Sequence, residues 1–148
     1  MLKVFETGNA LVTIWRGEPT AADVTDSLVA AQKMRARTGR PVALIGVLAP
    51  DARMPNEQVR RGMEANWPKL IECASTMQYV VMPRGQSALD HLVSSRLFSL
   101  LVGVYALAKT GKQVSVHRKL EDAVTEAASV ESSINQSEVA RLVTAALK

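Results

Sequence analysis

Apolar residues along the chain change period several times, and each change marks an element. Val4 with Phe5, and then residues 11–15, flank the segment ETGNA, whose Gly8-Asn9 pair carries turn chemistry, so an N-terminal β-hairpin is predicted. Beyond Pro19 the period lengthens: Thr20 and Asp23 are spaced as a capping box, and Val24, Leu28 and Ala31 fall on one face of a helix that Gly39 and Pro41 close. Residues 41–49 lack polar alternation and are rich in Val, Ile and Leu, as a strand covered on both faces requires.

Val59, Met63, Trp67, Leu70, Ile71 and Ala74 recur at three- and four-residue steps and predict an amphipathic helix. Pro68 is expected to kink or break it near Asn66, because proline lacks the N–H donor and crowds the preceding turn. TMQYVVMP predicts another strand, ended by Pro83. Ser87 and Asp90 form a second capping box, opening the longest predicted helix, which runs towards Lys109 and Gly111. Residues 113–117 alternate as a half-buried strand does, and a helix over 120–128 turns Val124 and Ala127 inward. SVESSINQS reads as a short linker. Asn135 and Glu138 then have cap spacing, ahead of a last amphipathic helix with Val139, Leu142, Val143, Ala146 and Leu147.

This alternation predicts an α/β fold: a mixed, mostly parallel sheet with an N-terminal β-hairpin, covered by helices, plus a C-terminal helix. Residues 1–128 are expected to form the α/β domain, and residues 129–148 a linker and an amphipathic helix packed on that domain or on a partner.

Composition narrows the function. The chain has 148 residues, 47% apolar and 22% charged, ordinary values for one globular domain. Lys3 and Glu6 precede any long apolar run and no small-residue cleavage site follows, so no signal peptide is expected. A single cysteine, Cys73, excludes an intramolecular disulfide and fits a reducing compartment, so a cytoplasmic location is expected. The net charge is +4, with +5 between Lys33 and Arg61 and −1 elsewhere. Those basic residues flank a predicted strand, making two small patches rather than a nucleic-acid groove. Aromatics at 4% are too few for a base-stacking platform.

Candidate chemistry is sparse. Cys73 ends an amphipathic helix and reads as a small buried thiol, not a nucleophile. His91 and His117, 26 residues apart, do not have zinc-ligand spacing, and no metal or cofactor is expected. Glycine-rich phosphate motifs are missing; in the segment PRGQS, Gly85 makes a turn and Ser87 caps a helix. Ligands of open α/β sheets settle beyond the carboxyl ends of the strands, and those ends carry Asp51, Arg53 and Asn56, then Arg84 and Ser87, then His117 and Arg118. If the strands are parallel neighbours, this rim is expected to meet an anionic group or an acidic partner surface.

The longest predicted helix contains twelve residues, 97–108, with only Ser99 polar, too short for the roughly 20 residues of a membrane span. Leu89, Val93, Leu97, Leu100, Val104 and Leu107 make one apolar face, and Leu92, Phe98, Val102 and Tyr105 a second. Either the C-terminal helix covers the second face or another chain does, as in a homodimer or with a partner helix.

The hairpin, the apolar strand Val42–Leu48, the Pro-ended strand and the segment VSVHRKLEDAV together resemble the STAS domains of anti-sigma-factor antagonists, the SpoIIAA-like proteins, over roughly residues 2–128. The resemblance implies a bacterial cytosolic regulatory module that works by protein contacts without catalysis. Phosphorylatable members place a hydroxyl in an Asp-x-Ser-Gly loop after the apolar strand; here that segment is LAPDARMPNEQ, and no serine or threonine lies between Thr38 and Ser75. A variant without the phosphorylation switch is implied. Two other readings stand beside it: a carrier or sensor of a small apolar or anionic, lipid-like ligand, and an enzyme using Asp51 and His117, which would have to reach a common substrate position.

Overall fold

A computed structural model of the chain describes residues 1–85, 87, 95, 96, 99 and 113–148. Five strands form one sheet in the order β1-β2-β3-β4-β5, with β1 (Leu2–Thr7) antiparallel to β2 (Ala10–Trp15), and β3 (Val42–Leu48), β4 (Ala74–Val81) and β5 (Gln113–His117) continuing parallel to β2. The helices described are α1 (Ala21–Thr38), α2 (Glu57–Cys73), α3 (Leu120–Val130) and α4 (Gln136–Leu147). The α/β class, the mostly parallel sheet, the antiparallel hairpin and the C-terminal helix are therefore those the sequence predicts.

Local chemistry explains the boundaries. Gly8 takes φ 54 at the head of the hairpin turn, while no non-glycine residue among those described has positive φ, so Asn9 follows in an ordinary conformation, the pattern of a type II′ turn. Thr20 Oγ1 accepts from the Asp23 N–H and the Asp23 carboxylate accepts from the Thr20 N–H, closing the capping box of α1. Asn56 caps α2 by accepting from the Val59 N–H at 2.9 Å, and Asn135 caps α4 by accepting from the Glu138 N–H at 3.1 Å.

The expected break near Asn66 does not occur, because α2 runs unbroken from Glu57 to Cys73 with Pro68 inside it. Pro68 and Glu64, whose carbonyl loses its helical partner, are both exposed, so water satisfies that carbonyl. The capping box at Ser87 and Asp90, the long helix after it and the stripe of Leu92, Phe98, Val102 and Tyr105 lie outside the described residues, as far as their helical placement is concerned.

Alternation along the strands gives the sheet two apolar faces. Leu11, Leu44, Met77, Tyr79 and Val81 meet α1 and α2 through Ala31, Met34, Trp67 and Ile71. Val12, Ile14, Ala43, Ile45 and Val47 meet α3 and α4 through Val124, Ala127, Val139 and Val143. Residues 42–47 of β3 are therefore buried throughout, as a strand walled in by helices on both sides must be.

The loop between α3 and α4 is tied to the hairpin at the other end of the chain. Glu131 is buried and its carboxylate accepts from Asn9 Nδ2, Arg40 Nη2 and the Ser133 N–H, each at 3.2 Å. The Asn9 N–H donates to Ser133 Oγ at 2.9 Å. Burial pushes the Glu131 carboxyl up, but the hydrogen bonds from Ser133 and Asn9 and the charge of Arg40 outweigh it and hold the group below its ordinary value.

Candidate functional site

The strand-end residues enter contacts of several kinds. After β3 the chain turns through Ala49–Arg53, stitched down by the Ala49 N–H on Trp15 O at 2.9 Å and the Arg53 N–H on Gly17 O at 2.8 Å. Asp51 accepts from Arg16 Nε at 3.1 Å, and Arg84 Nη1 donates to Ala52 O at 2.6 Å. Asp51 and Arg53 thus sit on one loop, which Arg84 reaches from beyond β4, with Asn56 spent on the α2 cap. Ser87 and Arg118 are exposed.

His117 belongs to another neighbourhood. Its Nε2 lies 2.7 Å from Gln78 Oε1 and 3.0 Å from Glu126 Oε2. Gln78 in turn donates from Nε2 to Thr76 Oγ1 at 2.9 Å, and both of those β4 residues are fully buried. The chain Thr76–Gln78–His117–Glu126 lies on the sheet face that α3 covers. Asp51 and His117 share no partner. Among the described residues no group of three or more His, Cys, Asp or Glu could hold a metal ion.

An apolar concavity lies on the opposite face, between α1 and α2. It has a volume of about 80 Å³ and is lined by Leu11, Leu28, Leu44, Leu48, Trp67 and Tyr79, and by Trp15, Gly17, Ala52 and the exposed Arg53. Glycine at position 46 makes its floor: β3 and β4 pair Gly46 with Tyr79, and the missing side chain leaves room for the Tyr79 ring to lie over β3. Trp67 stacks on that ring, with centroids 5.5 Å apart and planes 28° apart.

The aromatic pair is apolar in body, and its indole N–H is unsatisfied. Trp67 Nε1 is buried with no acceptor, a condition that costs about 1–3 kcal/mol. Tyr79 makes no hydrogen bond through its hydroxyl with any described residue, and burial holds that hydroxyl well above its ordinary value, so it stays a neutral donor. Thr13 and Asn66 add further polar groups to the lining.

This cleft was not legible in the sequence. Trp67 and Tyr79 read as ordinary core positions of a helix and a strand. The one local signal was Gly46, a residue without a side chain in the middle of a Val, Leu and Ile run. No family model matches the chain, nor does any curated protein or solved structure.

Proposed function

We propose that the protein is a non-catalytic binding module whose cleft between α1 and α2 takes a small apolar molecule, as a carrier or sensor of it. The observation that carries this reading is the buried aromatic pair: Trp67 Nε1 lacks an acceptor at the wall of an apolar cavity. Unpaired buried donors are rare in folded proteins, and a binding site is one of the places where they are retained. The separate engagement of Asp51 with Arg16 and of His117 with Gln78 and Glu126 favours binding over catalysis. Cys73, free and buried, suits the cytosol.

Regulation by protein contact, the role implied by the STAS resemblance, is the second reading. It is favoured by the loop after β3, where Arg53 and Met54 are exposed side by side and no hydroxyl is available for phosphorylation. The element order supports the resemblance, and the two readings are compatible if the ligand sets the state of the loop.

The test is native mass spectrometry on protein isolated gently from its own cells, beside a Leu28→Trp variant that fills the cleft. A small adduct on the wild-type chain that is lost from the filled variant supports the reading. An adduct that survives filling contradicts it.

A further inference from the structure

The cleft is one-sided in charge. Arg53 is the one charged side chain among the described residues that line it; no Asp, Glu, Lys or His joins it. The acid closest to Arg53 in sequence, Asp51, is held by Arg16 at 3.1 Å, and no described acid pairs with Arg53. Its backbone is fixed nonetheless: its N–H donates to Gly17 O at 2.8 Å, and the carbonyl of Ala52 before it accepts from Arg84 at 2.6 Å. A cation on an anchored loop therefore lines an apolar cavity with no counter-charge among the described residues.

Inside the cleft the hydrogen-bonding character leans the same way. The Trp67 indole can only donate, and the Tyr79 hydroxyl can donate beside it. Size sets a further limit. An apolar cavity of ~150 Å³ takes up benzene, so at about 80 Å³ this one encloses only part of a ring or a short branched chain, with the rest of the ligand in the open mouth.

We propose that the ligand is a small monocarboxylate with a compact apolar body, the body lying on Trp67 and Tyr79 and the carboxylate meeting Arg53 at the mouth. This rests on the binding reading above and adds the chemical class of the ligand. A guanidinium matches a carboxylate in charge and in its two-pronged geometry, and an apolar body gains by leaving water.

Isothermal titration calorimetry with 3-phenylpropionate and its neutral isostere 3-phenylpropanamide tests it, on the wild-type chain and on Arg53→Leu, at low ionic strength. The carboxylate is expected to bind the wild-type chain roughly fivefold more tightly than the amide, the worth of an exposed ion pair. In Arg53→Leu that advantage is expected to vanish while amide binding is unchanged. Equal affinities in the wild-type chain, or an advantage that survives the substitution, overturn the ligand class and leave the cleft reading standing. Failure of both probes to bind the wild-type chain overturns the cleft reading itself.

Discussion

The Tyr79 ring occupies the space that a side chain on Gly46 would need: a β-carbon there would stand 2.5 Å from the ring's Cδ1 and Cε1. No real β-carbon tolerates that approach, so glycine at 46 is what lets the ring lie flat over β3 and form the floor of the cleft. Gly46→Ala is expected to destabilise the fold by about 1–3 kcal/mol through overpacking. Pairing it with Tyr79→Leu should recover part of that loss, since the two sites share one space. Urea unfolding of the two single variants and the double variant measures both effects; strict additivity would show that the ring can step aside freely.

Trp67 separates the cost of its orphan N–H from the worth of its ring. Trp67→Phe keeps an aromatic face on Tyr79 and removes the unpaired donor, so the lost area and the relieved donor nearly offset, and stability should stay within about 1 kcal/mol of the wild-type chain. Trp67→Ala, which empties the wall, should cost about 3–5 kcal/mol. Chemical denaturation distinguishes them; equal losses would mean that the indole nitrogen is satisfied in solution.

Glu131 predicts how the protein responds to acid. Its carboxyl is held below the ordinary value in the folded chain, so the folded form binds the proton less readily than the unfolded one. The resulting stabilisation is complete above the ordinary carboxylate range and is lost as pH falls through the lowered value. Glu131→Gln should therefore melt below the wild-type chain at pH 7, with the gap narrowing in acid. Thermal melts followed by circular dichroism check this, and a gap independent of pH would place the stabilisation in packing alone.

The chain of contacts from buried Thr76 and Gln78 out to His117 and Glu126 predicts coupling. Gln78→Leu removes the acceptor 2.7 Å from His117 Nε2 and frees Thr76 Oγ1 of its donor, so it should cost about 1–3 kcal/mol. Adding His117→Leu should cost less than the sum of the single losses, because the contact the two side chains share is already gone after the first substitution. A double-mutant cycle by equilibrium unfolding reads the coupling energy, and a value of zero would break the network into independent contacts.

Much of the frame could be read locally. The Gly8 turn, the capping box of Thr20 with Asp23, the Asn135 cap and the apolar run Val42–Leu48 each follow from residues within a few positions of one another. What lay hidden depends on distant partners. Gln78 and Thr76 are polar residues on a strand face that becomes interior only because α3, about 45 residues later, lies over it. Glu131 reads as part of a solvated linker until Asn9 and Arg40 are folded beside it. Pro68 signals a break by its own chemistry, yet its exposure lets water take the orphaned carbonyl and the helix continues. The strand-end rim was named residue by residue, but which of those side chains meet depends on directions that spacing does not encode: Arg84 reaches the loop after β3, whereas His117 faces Gln78.

The most direct measurement of the central claim follows the tryptophan indole N–H resonances of ¹⁵N-labelled protein while toluene, a neutral apolar probe, is added to the wild-type chain and to Leu28→Phe, which places a ring in the void. Trp15 and Trp67 both line the cleft, so the two resonances report on it from within. The account predicts saturable shifts, larger for Trp67, in the wild-type chain and their loss in Leu28→Phe. Indole resonances that stay fixed up to the solubility limit of toluene, or that shift alike in both proteins, would contradict it.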